Sequence, residues 1–185
     1  MNTVVTSREM ILAESRKLVM EEGIQAVNMR TVARVCGVAV GSIYNYFPSK
    51  ADLLSAAVEE VWNDIFHMSE DVFSSQSFSA CISWLFESVR KGCMKYPGFF
   101  TFHSMSFTVE DKAEGRRMME DYFGHIIKNL ADVIRMDSRV RHDVFDEDFT
   151  PEGFSEMIFT QLISMLLKNK EDCRMLLELV ERCIY

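Results

Sequence analysis

The chain has 185 residues, 48% of them apolar and 26% charged, with a formal net charge of −8. That balance is ordinary for a globular protein and argues against the disordered and membrane-spanning classes. No basic segment followed by an apolar run opens the chain, and its longest nearly apolar stretch, MIFTQLISMLL, is too short and too polar to span a bilayer, so a cytoplasmic protein is expected. The charge is unevenly spread: residues 1–50 hold six Lys or Arg against four Glu (+2), and the remainder 14 against 24 (−10). A relatively basic end on an acidic body is a possible nucleic-acid contact.

Periodicity and punctuation indicate an all-α chain. Thr6-Ser7-Arg8-Glu9 fits a capping box, Ile11, Leu12, Ser15, Leu18 and Val19 share one helical face, and Gly23 stops the first helix. Asn28 can cap a short second helix, MRTVARVC, that ends at Gly37, where a positive φ is easily accommodated. A third short helix is expected from about Val40 to Phe47. After Pro48, Ser49-Lys50-Ala51-Asp52 can form a second capping box for a long fourth helix, with Leu54, Val58, Val61 and Ile65 on its buried face.

Longer helices follow. Phe78, Ile82, Leu85, Phe86, Val89, Cys93 and Tyr96 recur at helical spacing up to Pro97-Gly98, and a short aromatic helix is expected over 99–107. Met118, Met119, Tyr122, Phe123, Ile126, Ile127, Leu130, Val133 and Ile134 form the next stripe. The acidic DSRVRHDVFDEDF reads as a loop, and Thr150-Pro151-Glu152 opens the penultimate helix with a capping residue and proline at its first position. In that helix Phe154, Met157, Ile158, Phe159, Leu162, Ile163, Met165, Leu166 and Leu167 cover most of the circumference, so it needs two partners. The last helix, from about Glu171 to Ile184, adds Leu176, Leu179, Val180 and Ile184, and together the two should build a four-helix interface about a two-fold axis.

Two short helices joined by a tight turn at Gly37 make a helix-turn-helix, whose second helix presents its N-terminal residues to base edges in the major groove. Gly41 leaves no side chain to hold the backbone away from DNA, and the helix N-terminus favours an anion. Ser42, Tyr44, Asn45 and Tyr46 offer hydroxyls and an amide outward, while Ile43 and Phe47 face inward.

On these residues, positions 7–60 resemble the N-terminal domain of the TetR family of transcriptional regulators. The run EEGIQAVNMRTVARVCGVAVGSIYNYFPSKADLL agrees with that family's pattern at nearly every defining position, over about a third of the chain. The resemblance implies a DNA-binding domain over 1–50 and a helical effector-binding and dimerisation domain over 51–185, in a homodimer on a palindromic double-stranded DNA operator. Carried across by position, Thr31, Ala39, Val40, Gly41, Ser42, Tyr44, Asn45, Tyr46 and Lys50 fall where the family touches DNA. Val40 departs from a place that is often Lys or Arg, so one charged contact gives way to apolar contact with a thymine methyl.

Thirteen Met and fourteen Phe are more than a plain core of this size needs, and such side chains can line an adaptable cavity. Trp62, Phe66, Trp84, Phe102, His103, Met119, Tyr122, Phe123 and Ile126 are the candidate lining for an apolar or amphipathic effector. No cofactor is expected. The four histidines, at 67, 103, 125 and 142, have no metal-ligand spacing, and the five cysteines, at 36, 81, 93, 173 and 183, have no CxxC pair, so reduced, mostly buried thiols are expected. Two other readings stay open: control by a protein partner without a ligand, and a small helical enzyme, against which no G-x-S-x-G nucleophile motif is found.

Overall fold

The computed structural model describes residues 6–66, 77–99 and 113–185, with backbone alone at 113–119 and 121. Among the described residues there are eight α-helices and no strand. They are α1 (Arg8–Glu22), α2 (Met29–Cys36), α3 (Val40–Tyr44), α4 (Lys50–Ile65), α5 (Phe78–Lys95), α6 (Ala113–Met136), α7 (Pro151–Leu167) and α8 (Arg174–Ile184), with a 3-10 turn at Ile24–Ala26. No helix among the described residues is long and apolar enough to cross a membrane. Two compact units are formed, one of Met1–Ile65 with Gly92–Met118, the other of Phe66–Lys91 with Met119–Tyr185. The short helix expected over 99–107 lies outside the described residues from position 100 onward.

In the first unit, α1 buries Ile11, Leu12, Ser15, Leu18 and Val19, the face that its spacing indicates. Its cap is one residue later than the Thr6–Glu9 reading: the Ser7 hydroxyl accepts from the Met10 N–H at 3.2 Å. Thr6 is packed inward instead, its own hydroxyl buried without a hydrogen bond. At the start of α4, Ser49 and Asp52 do cap each other, through Ser49 N–H to Asp52 Oδ2 (2.8 Å) and Asp52 N–H to Ser49 Oγ (3.1 Å). The α4 core face runs through Leu53, Ala57, Val61 and Ile65, with Leu54 only half-buried, because i, i+4 steps back from Ile65 reach Leu53.

Asp64 joins three helices of this unit. Its carboxylate accepts from Arg16 of α1 (2.7 Å), Lys95 of α5 (2.6 Å) and the Tyr96 hydroxyl (2.9 Å). Burial alone would raise its pKa, and the hydrogen bonds from Lys95 and Tyr96 with the charges of Lys95 and Arg16 reverse that and lower it. Beside it, Ile65 lies so close to Gly92 that a Cβ there would sit 2.6 Å from Ile65 Cγ1.

The helix-turn-helix is built from its caps. Asn28 Oδ1 accepts from the N–H groups of Arg30 (3.2 Å) and Thr31 (3.0 Å), opening α2. The inner face of α2, Met29, Val32, Ala33 and Cys36, is buried. At its end Gly37 takes the left-handed conformation (φ 67°, ψ 29°). Gly37 N–H then bonds Arg34 O (3.2 Å) and Val38 N–H bonds Ala33 O (3.0 Å), the paired bonds of a Schellman turn. α3 closes at Tyr44, three residues before the expected end, and the Tyr46 and Phe47 N–H groups both return to Ile43 O.

The second unit is aromatic and pinned at one carboxylate. On α5 the core takes Cys81 along with Phe78, Ile82, Leu85, Phe86 and Val89, while Cys93 is only half-buried. The acidic 137–149 segment is indeed a loop, in which Phe145 stacks on Phe149 (5.3 Å) and both meet Phe154 of α7. α7 opens as its sequence indicates, Thr150 Oγ1 accepting from Gly153 N–H at 3.1 Å. α8 begins at Arg174, later than expected, because Asp172 Oδ1 takes the Arg174 N–H at 3.1 Å in a turn ahead of it.

Asp137, its side chain only 5% exposed, accepts from the Tyr185 hydroxyl (2.5 Å), the Phe78 N–H at the start of α5 (3.2 Å) and the Arg139 N–H (3.1 Å). Burial works to raise its pKa, and these donors with the Arg139 guanidinium outweigh it, holding the carboxyl at about 2. A carboxyl depressed in the folded state adds stability above its unfolded pKa, and that stability is lost as pH falls through the folded value. Asp137→Asn should therefore cost about 2 kcal/mol at neutral pH, and the difference from wild type should vanish between about pH 4 and pH 2. Denaturant titrations across that range check it, and a pH-independent difference would contradict it. For the first unit, Gly37→Ala should cost about 1 to 2 kcal/mol and Gly37→Asn clearly less, read by thermal unfolding. Equal effects from the two substitutions would mean that the left-handed turn is not what holds α2 to α3.

Candidate nucleic-acid interface

α3 has only five residues, too few to carry a large helix dipole, so side chains and individual N–H groups dominate what it can hold. Its inward pair is as the sequence indicates: Ile43 and Phe47 are fully buried. The Arg8 guanidinium of α1 covers the Phe47 ring at 5.2 Å. The outward set is equally clear. Ala39, Gly41, Tyr44, Asn45, Tyr46 and Lys50 are exposed, and Thr31, Val40 and Ser42 half-buried, around α3 and the ends of its neighbours.

Gly41 is informative here. A Cβ built on it meets no atom within 4 Å and its φ is not in the left-handed region, so neither packing nor backbone geometry inside the chain requires glycine there. The absence of a side chain matters only to something approaching from outside.

The polar members differ in what they have free. Thr31 Oγ1 accepts from Asn28 Nδ2 at 2.9 Å, which orients its hydroxyl while leaving the O–H to donate. The Tyr46 hydroxyl donates to the Thr6 carbonyl oxygen at 2.6 Å. The Tyr44 side chain, on a residue 50% exposed, makes no hydrogen bond among the described residues. Sequence reasoning passed over Arg30 and Arg34, both exposed on α2 and in no ion pair among the described residues. The signal was their i, i+4 spacing, which puts two cations on one outer face of the first helix of the motif.

The effector candidates among the described residues are divided between the two units. Trp62 is buried in the first unit, edge-on to Phe99 with centroids 5.6 Å apart. In the second unit Phe66 stacks on Tyr122 (6.0 Å) and tilts against Trp84 (6.4 Å). Phe123 meets Phe159 of α7 edge-on (5.1 Å), and Ile126 is buried. Phe102 and His103 lie outside the described residues, and Met119 is described by backbone alone. A groove that the structure does show lies elsewhere, on α7 and α8, between Met157, Ile158, Thr160, Gln161, Leu176 and Leu179. Among the described residues no three His, Cys, Asp or Glu side chains are grouped to hold a metal ion.

Residues 11–57 match the family of bacterial regulatory proteins described as the tetR family. The nucleoid occlusion factor SlmA of Actinobacillus pleuropneumoniae serotype 5b (strain L20) is 22% identical over 138 residues, 72% of this chain and 67% of its own. The HTH-type transcriptional repressor KstR of Rhodococcus jostii (strain RHA1) is 47% identical over 51 residues, 28% of this chain and 24% of its own. Among solved structures, BioQ with its natural double-stranded DNA operator has the same fold, with a TM-score of 0.61 at 16% identity, covering 89% of this chain and 86% of that one. The matched segment runs from α1 into α4 and contains both helices and the Gly37 turn built above. By that domain the chain resembles the DNA-binding transcriptional regulators of the tetR family.

Proposed function

We propose that this chain is a cytoplasmic repressor that binds a palindromic operator as a homodimer and leaves it when a small apolar or amphipathic ligand binds. Residues 1–50 read the DNA, and 51–185 hold the dimer interface and the effector site. The observation that carries the reading is the outward face around α3, where Gly41 stands without an internal cause beside exposed Tyr44, Asn45 and Lys50. Thr31, Ala39, Val40 and Ser42 complete the contact set, with Tyr46 beside them and Arg30 and Arg34 adding phosphate contacts. The KstR match, to a named repressor, supports the sign of regulation.

The dimer is supported by what α7 and α8 leave uncovered. α7 buries Phe154, Ile158, Phe159, Leu162 and Leu166 within its unit, yet keeps Met157 and Leu167 exposed on the other side. α8 exposes Met175 (82%) and Leu179 (45%) while burying Leu176, Val180 and Ile184. Apolar side chains on both helices around one groove fit a second copy of the same pair about a two-fold axis. The effector would act on the Phe66, Trp84 and Tyr122 cluster, flat rings that a lipophilic molecule can displace. A second reading, control by a protein partner with no ligand, is left room by one observation: the similarity to SlmA, which is named as a nucleoid occlusion factor and not as a transcriptional repressor, extends over 72% of the chain, well past the DNA-binding domain.

Asn45→Ala should relax specificity at one or two operator positions at a cost of about 1 to 3 kcal/mol, whereas Lys50→Ala should weaken all sequences alike and reduce the salt slope by about one. Mobility-shift titrations over a salt series separate the two, and equal, sequence-blind losses would count against α3 as the reading helix. Sedimentation at micromolar concentration should show a dimer, and Leu179→Arg should give a folded monomer with greatly weakened operator binding. A wild-type monomer under those conditions would remove the dimeric reading.

A further inference from the structure

On the DNA-binding reading above, Tyr46 falls among the contacts, and we propose a different role: Tyr46 is a positioning residue that pins the end of the recognition helix to the entrance of α1. Its hydroxyl is 2.6 Å from the Thr6 carbonyl oxygen, a bond between residues 40 apart in the chain. A phenol has one O–H to give, and a phosphate oxygen can only accept. With that proton committed to Thr6, what the hydroxyl turns toward a phosphate is a lone pair, which repels it.

The surroundings make the link a built feature. Thr6 is 7% exposed, and among the described residues no backbone N–H reaches its carbonyl, so the Tyr46 hydroxyl satisfies an otherwise buried acceptor. The next residue, Ser7, caps α1. One residue further, Arg8 lies over the ring of Phe47, the buried neighbour of Tyr46. Two consecutive residues after α3, Tyr46 and Phe47, are thus tied to Thr6 and Arg8 at the entrance of α1. Because Tyr46 N–H also returns to Ile43 O at 3.0 Å, the tie bears directly on the last turn of α3. Tyr44 is its counterpart, with an exposed hydroxyl that keeps its proton for a phosphate. Two similar tyrosines, two residues apart, hold different duties.

The test compares Tyr46→Phe with Tyr44→Phe in the 185-residue protein. The probe is a duplex selected by the wild-type protein from a random-sequence pool, remade as a series with a single neutral methylphosphonate at each phosphate in turn. Tyr46→Phe should weaken binding about threefold to tenfold by the same factor on every duplex of the series. In the DNA-free protein it should also speed amide exchange in the first turn of α1. Tyr44→Phe should lose its effect on one duplex, the one lacking the phosphate it contacts, and should leave α1 exchange unchanged. The proposal is overturned if the Tyr46→Phe effect disappears on one particular duplex, if the substitution leaves affinity intact, or if α1 exchange does not change. Failure of the wild-type protein to select any duplex would overturn the DNA-binding reading instead, and the exchange measurement would then decide the Tyr46–Thr6 link by itself.

Discussion

The left-handed backbone at Gly37 is the constraint on which the DNA-binding surface depends. A five-residue helix has no stability of its own, because a single turn fixes several dihedrals for almost no hydrogen bonds. α3 persists because the Schellman turn delivers the chain at a fixed angle and because Ile43 and Phe47 are then buried, each worth about 1.5 to 3 kcal/mol. Once those two face inward, the positions of Gly41, Tyr44 and Asn45 on the solvent side follow from helical geometry. The chemistry available to DNA is therefore a consequence of one turn and two core residues.

The first unit is held together more firmly than a hinged reading head would be. Asp64, at the far end of α4 from the capping pair Ser49 and Asp52, binds donors from α1 and from the last turn of α5. Gly92 and Ile65 are packed so closely that a side chain at position 92 would have to displace that of Ile65. A displacement of the last turn of α5 would have to break charged hydrogen bonds to α4 and pull on α1 at once, and α1 with the residues leading into it carries the ties to Tyr46 and Phe47. Regulation of the kind proposed, by ligand or by partner, would have a short physical route made of named contacts.

Much of this was legible in the chain because the interactions are local. The five buried residues of α1, the Asn28 cap, the Gly37 stop and the Thr150-Pro151 start each rest on residues within one or two helical turns, and spacing alone reveals them. Errors came where tertiary packing chose between neighbours: Ser7 over Thr6 as cap, Leu53 over Leu54 in the core, Cys81 over Cys93 on α5. The inward and outward division of α3 could be read from its residue types. The committed hydroxyl of Tyr46 could not, since its partner is 40 residues away, and neither could the three donors that meet at Asp64. An effector site could not be read from residue types, because a stripe of Phe and Trp looks alike whether it lines a cavity or fills a core, and Trp62 and Phe66 are both buried against other rings.

The central claim is that two copies of this helix-turn-helix read DNA together through α3, and the base sequence they choose tests it most directly. Repeated selection of random-sequence duplexes by the full protein, followed by sequencing, should converge on an inverted repeat whose half-sites lie about one helical turn apart, or a multiple of it. An enriched single half-site, or no enrichment over unselected DNA, would contradict it.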